Sequence, residues 1–233
     1  MKDVLLLYNR LSISGIILLF LLGSCKDPKK VKVDWESNRF YADYVKIYEG
    51  YGVKPLDSTK LALNDFLTAF PNDAKAWAFY GKVLLDQDSL EAARKAYERG
   101  YALDSLMPWN CSGLGVVASR TGDYSSAERW FTLGQKLGDS TLLLPLNLSI
   151  AELMLNKKET ARVQADVLAK HDSLDNYFKK HLFVIYSELQ VPEVAAKFAP
   201  EANDSSAVAL YQRKAISAID FFLRERHDYD GRK

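Results

Sequence analysis

An all-α solenoid of stacked helical hairpins is the fold class this sequence predicts, and two observations predict it. The first is self-similarity at a fixed step: the stretch from Ala76, "AWAFYGKVLLDQDSLEAARKAYERGYALD", aligns without a gap on "NCSGLGVVASRTGDYSSAERWFTLGQKLG" from Asn110. Each matched pair lies 34 residues apart, which is the length of one supersecondary unit in a repeat protein. The second is composition. At 48% hydrophobic residues with only 7 prolines and 12 glycines, the chain can bury a core and is neither turn-rich nor disordered.

Within the two aligned stretches, Tyr80 and Gly81 pair with Leu114 and Gly115, Ala93 with Ala127, Tyr97 with Phe131, and Gly100 with Gly134. Continued by the same step, Ala127 leads to Ala161 and then Ala195, and Leu114-Gly115 leads to Leu148-Ser149. Period and pattern together resemble the tetratricopeptide repeat, whose signature is W-x2-L-G-x2-Y, then A-x3-F, then P. The first unit (74–107) supplies Trp77, Gly81, Leu84, Ala93 and Tyr97. The second (108–141) supplies Leu114, Gly115, Ala127 and Phe131, with Gly122 at its turn. The third (142–175) keeps Leu148, Ser149 and Ala161 but places Pro145 where the tryptophan belongs, and the fourth (176–203) keeps Leu182, Tyr186 and Ala195. The closing proline is missing, Ser105 and Asp139 standing in its place. The resemblance implies a right-handed solenoid of helix-turn-helix units. Small residues (Gly81, Ala93, Gly115, Ala127) would allow close helix approach, and Tyr97 and Phe131 would wedge between units.

Each element has a local reason. The corner between the two helices of a unit needs a left-handed residue, and in register it carries Asp88, Gly122, Asn156 and Gln190. Ser89 and Ser125 or Ser126 are the expected caps of the second helices. Upstream, residues 39–73 read as a degenerate first repeat, with Ala62, Phe66 and Ala69 on the A-x3-F-x2-A spacing and Pro71 ending its second helix. Downstream, 204–226 read as one amphipathic capping helix with Val208, Tyr211, Ala215, Ile219 and Phe222 on one face, followed by a polar tail, 227–233. Such a cap covers the last apolar face of a solenoid.

The N-terminus carries a different kind of signal. Lys2 and Arg10 precede an uncharged run, Leu11–Leu22, and small residues follow, which is the layout of a secretory signal peptide over 1–24. Leu22, Gly23, Ser24 and Cys25 resemble the lipobox of bacterial lipoproteins. That resemblance implies cleavage before Cys25, lipidation of its thiol, and a membrane anchor of two or three acyl chains. Residues 25–38 would then be a lipidated polar linker. Lys26 after the cysteine lacks the aspartate that retains many lipoproteins at the inner membrane, so the expected location is the cell envelope, at the outer membrane.

Charge and residue types narrow the function. From 31 basic and 30 acidic residues the leader takes Lys2, Arg10 and Asp3, leaving 29 of each. A neutral chain lacks the basic excess that phosphate backbones require, so no nucleic acid is expected. With Cys25 lipidated, Cys111 has no partner for a disulfide and reads as a buried packing residue at the place of Trp77. The three histidines, His171, His181 and His227, show no metal-ligand spacing, and neither a phosphate loop nor a nucleophile elbow occurs. No catalytic residue, metal, cofactor or small-molecule substrate is expected, and the chain reads as a non-enzyme.

What remains is a binding surface. In the family the first helix of each unit lines a concave groove that holds peptides or partner helices. Transferred to this sequence, the groove comprises Lys75, Phe79, Lys82, Trp109, Val116, Arg120, Leu146, Asn147 and Ile150, with Leu143, Tyr177, Lys180 and Val184 continuing it. The family's chaperone-binding subclass clamps a terminal carboxylate with lysines and asparagines. The matching places hold Ala78, Lys82, Gly113, Leu143 and Asn147, so most of that clamp is lacking. The reading is a scaffold tethered through its lipid that docks an unidentified envelope protein or peptide. The alternative is an accessory lipoprotein of outer-membrane protein assembly or of pilus and secretin machinery.

Overall fold

The computed structural model describes residues 39–199 and 207–225, with side chains from Ala42. The leader, the motif Leu22 to Cys25, the linker 25–38, residues 204–206 of the cap and the tail 227–233 lie outside the described residues. The described residues from Asp43 to Glu225 belong to one compact unit. Its helices are α1 (Arg39–Gly50), α2 (Leu56–Ala69), α3 (Ala74–Asp86), α4 (Leu90–Leu103), α5 (Pro108–Arg120), α6 (Tyr124–Lys136), α7 (Leu143–Met154), α8 (Lys158–Ala169), α9 (Asn176–Glu188), α10 (Pro192–Ala195, continued by a 3-10 turn, Ala196–Phe198), α11 (Ala207–Gln212) and α12 (Ala218–Glu225). No strand occurs among the described residues. Helices pair as α3 with α4, α5 with α6 and α7 with α8, and each hairpin packs on the next through α4 with α5 and α6 with α7.

The corners repeat one device. Asp88, Gly122, Asn156 and Gln190 have φ of 55°, 82°, 58° and 60°. Each amide bonds three residues back, as in Asp88 N–H to Leu85 O at 3.0 Å, and the next amide reaches five back, as in Ser89 N–H to Leu84 O at 2.9 Å. This pair of bonds is the Schellman closure, which satisfies carbonyls that the ending helix leaves open. Caps differ from expectation. Ser89 makes no side-chain cap bond, and α6 is capped by Asp123 rather than a serine, its carboxylate accepting from the Ser126 amide at 3.0 Å. The carboxylate of Asp123, two residues before Ser125, reaches the exposed amides of the first turn and suits the positive helix end better than a hydroxyl.

Between helices the fit is one of complementary volume. A Cβ on Gly81 would lie 2.9 Å from the Tyr97 ring, one on Gly113 2.2 Å from it, and one on Gly115 2.5 Å from Phe131. Tyr97 thus fills the seam between its own hairpin and the next, reachable only because both faces lack a side chain. In the third hairpin Ser149 takes the glycine's place and Ala165 the aromatic's. The buried Ser149 hydroxyl donates to the Ala161 carbonyl at 2.8 Å, so its polarity is satisfied across the hairpin.

Two elements differ from the sequence reading. In α2 the buried residues are Thr59, Leu63, Phe66 and Leu67, whereas Ala69 is exposed. The strict 34-residue step from Ala93 and Tyr97 leads to Thr59 and Leu63, so the expected Ala62-Phe66-Ala69 set was displaced by one helical turn. The C-terminal segment is two helices, not one. α11 ends in another Schellman closure, with Lys214 at φ 57° and the Ala215 amide bonded to Leu210 O at 2.8 Å. α12 then restarts from a capping box, in which the Asp220 amide donates to Ser217 Oγ (3.1 Å) and the Ser217 amide to Asp220 Oδ2 (3.2 Å). Ala215 and Ile219 of the expected apolar face are consequently exposed, and the buried set is Val208, Ala218, Phe221 and Phe222.

Candidate functional site: the face of the first helices

α3, α5, α7 and α9 are the first helices of successive hairpins, and the predicted groove residues lie on them. Four of those residues are not available to a partner. Phe79 is 8% exposed, because Tyr44, Tyr48 and Tyr51 surround its ring at centroid distances of 5.3–6.1 Å. Leu146 and Val184 are fully buried in the C-terminal core cluster. Arg120 is spent on structure: its guanidinium donates to the Leu85 carbonyl at 2.8 Å and sits 3.7 Å from the Asp88 carboxylate, bracing one corner against the next hairpin.

Lys82 is exposed but engaged. Its ammonium donates to Asp86 and to the Tyr51 hydroxyl, both at 2.7 Å, and Tyr51 in turn donates to Asp86. Lys75 is exposed at the start of α3, and Trp109 at the start of α5 is 53% exposed. Val116 is half-buried and packs on the cores of both central hairpins. Asn147 and Ile150 are half-buried on α7, and Ile150 packs against the C-terminal cluster. The face therefore has an open half, with Lys75 and Trp109, and a covered half over α7 and α9.

The repeat-defining residues occupy the interior. Gly81, Ala93, Tyr97, Leu114, Gly115, Ala127, Phe131, Ala161 and Ala195 are buried, Trp77 is half-buried with its indole N–H donating to the Pro71 carbonyl at 2.8 Å, and Gly122 is exposed at its corner. Cys111 is fully buried, and burial pushes its thiol pKa up, away from the reactive thiolate. Among the described residues no cluster of His, Cys, Asp and Glu is arranged to hold a metal ion, and no helix is long and apolar enough to cross a membrane.

Sequence reasoning missed Glu152. It stands where the first unit has Leu84, is 6% exposed, and its Oε2 has no hydrogen-bond partner among the described residues. Burial, reinforced by the nearby Glu128 carboxylate, pushes its pKa up to about 7. Lys157 bonds both oxygens of Glu128 at 2.7 Å and partly offsets the effect. The signal was present as a carboxylate at an apolar register position.

No protein-family model matches the chain, and no curated protein does. Solved structures do match in shape. MamA from Desulfovibrio magneticus RS-1 superposes with a TM-score of 0.57 at 12% identity, over 77% of this chain and 98% of that one. The Pseudomonas aeruginosa pilF protein gives 0.56 at 15% identity, over 81% and 79%. YrrB, described as a TPR protein with an unusual peptide-binding site, gives 0.53 at 16%, over 73% and 93%. The fold is a tetratricopeptide-like solenoid. At such identities the likeness speaks for the fold alone, and the roles of this solenoid's surfaces rest on its own residues.

Proposed function

We propose that the protein is a non-enzymatic protein-interaction scaffold of the bacterial cell envelope, tethered by a lipid on Cys25, that captures a partner protein through the face of its first helices. The observation that carries the reading is Trp109. A large aromatic side chain stands 53% exposed at the opening of α5, at the register position that exposed Lys75 holds on α3, on a face whose other predicted positions are buried, half-buried or ion-paired. Tryptophan is among the residues most enriched as energetic anchors of protein interfaces. The polar groups that could do chemistry on this face are consumed internally, Lys82 by Asp86 and Tyr51 and Arg120 by the neighbouring corner.

Tethering is supported by the lipobox-like Leu22-Gly23-Ser24-Cys25 at the end of an apolar run. Metabolic labelling with a fatty-acid analogue should mark the wild-type chain and leave Cys25→Ser unlabelled; equal labelling would overturn the anchor. For the docking role, crosslinking in cells should yield one dominant partner with the wild type and lose it with Trp109→Asp. Retention of the crosslink by Trp109→Asp would move docking off this face. If deletion of the chain depletes an outer-membrane barrel or a secretin, the partner belongs to assembly machinery.

A further inference from the structure

The covered half of the first-helix face is held under the terminal hairpin by a specific set of contacts. Phe221 of α12 meets the His181 ring at 5.2 Å, and Phe222 stacks over the same ring at 5.9 Å with planes 20° apart. Glu225, 4% exposed, reaches to 3.8 Å from the Lys180 ammonium. From α11, the Tyr211 hydroxyl donates to Glu188 at 2.7 Å while its ring meets Phe183 at 6.4 Å. Leu146, Leu153 and Val184 belong to the same buried cluster as Val208, Ala218, Phe221 and Phe222.

These are the contacts of a bound amphipathic helix. Two adjacent aromatic side chains enter an apolar trough, and one turn later a carboxylate pairs with a lysine at its rim. α11 and α12 have 6 and 8 residues. Helices shorter than about 12 residues are marginal in water, so both owe their order to the surface they sit on. α12 also keeps Ile219 46% and Leu223 39% exposed on its outer side, one turn apart. A dedicated cap would carry polar residues there.

We propose that the terminal hairpin is an intramolecular occupant of the binding groove. The partner of this half is then an amphipathic helix presenting two adjacent aromatic residues and a carboxylate three or four positions later, which displaces α12 and pairs with Lys180. The proposal rests on the scaffold reading and adds the chemistry of the partner. Because the occupant is covalently attached, it competes at an effective concentration of roughly millimolar, and the groove opens only to a ligand that outbids it.

The test uses the full chain and a labelled peptide of its own sequence, Ala215–Glu225. The wild type should bind this peptide weakly. Phe221→Ser with Phe222→Ser in the intact chain removes the occupant's anchors and should tighten peptide binding by about tenfold or more. In that background Lys180→Glu should abolish binding, and a peptide carrying Glu225→Arg should restore it. Circular dichroism monitors the repeats, and Glu225→Lys provides a milder release that should tighten binding by a smaller factor. No gain in either variant, or binding indifferent to the charge exchange, overturns the proposal. Loss of the repeats' helicity in both variants also overturns it, since a hairpin that the repeats cannot fold without is a cap and not a ligand. The scaffold reading fails on a different result, the Trp109→Asp crosslink, which probes the open half.

Discussion

The hairpins α3–α4 and α5–α6 and the hairpin that begins with α9 solve one packing problem in opposite ways. In α3–α4 and α5–α6 the first helix supplies glycine, at 81 and 115, and the second supplies a large ring, Tyr97 or Phe131. At the same register positions the third hairpin has two small residues, Ser149 and Ala165, and the fourth has Phe183 and Ala199, so by the fourth the large residue has changed sides. The consequence is visible in the surfaces. Where the ring comes from the second helix, Lys75 and Trp109 of the first-helix face stay exposed. In the fourth hairpin the second helix shortens to α10 and a 3-10 turn, Phe183 projects from α9, and the terminal hairpin supplies the aromatic residues that complete the core. Along this solenoid the ring at the seam passes from the second helix to the first, by way of a third hairpin in which both positions are small.

Removing the ring from a glycine seam should break the comparison most strongly. Phe131→Ala is expected to cost about 3–5 kcal/mol in urea unfolding, since a fully buried ring leaves a cavity between rigid helices. Leu at position 165 in place of alanine should instead overpack its seam and cost about 1–3 kcal/mol. If Phe131→Ala costs no more than a surface change, the seams are not the cohesive element. Gly113→Ala ranks next. Its new Cβ would lie 2.2 Å from the Tyr97 ring, and a loss of about 1–3 kcal/mol is expected, relieved when Tyr97→Leu is added. Additive losses in the double variant would refute the contact.

Glu152 sharpens the contrast through pH. Its folded pKa, pushed up to about 7, exceeds the unfolded value, so the folded chain holds that proton more tightly. The contribution is fully present below the unfolded pKa, near 4.5, and is lost as pH rises through 7. Glu152→Gln should therefore stabilise the protein at pH 8 by about 1–2 kcal/mol and change little at pH 4. A pH-independent effect would show that the carboxylate is solvated. The smallest effect belongs to the corners. Gln190→Gly should add about 1 kcal/mol by removing a side chain from a left-handed position, and Asn156→Gly less, because asparagine tolerates that region. Destabilisation by Gln190→Gly would mean that the side chain makes contacts outweighing the backbone cost.

Much of the fold was legible because its determinants are local and periodic. Asp88, Gly122, Asn156 and Gln190 were placed by counting, and each sits at the left-handed corner where counting put it. The break in the terminal segment was equally local, written as Ser217 and Asp220 three apart, but an amphipathic pattern running through it masked the capping box. The site was less legible. Phe79, Leu146, Val184 and Arg120 follow the family's groove positions, yet each is claimed by the protein itself: by tyrosines of α1 and the residue that follows it, by the C-terminal core cluster, or by a corner 32 residues away.

By itself the sequence determined the helical hairpin, its 34-residue step, its turns and the small residues at its seams, since each depends on backbone geometry within one unit. Only the tertiary structure decided which part of the first-helix face remains exposed. Burial depends on what the chain's far ends lay across that face. Helical period cannot distinguish an apolar residue waiting for a partner from one already covered.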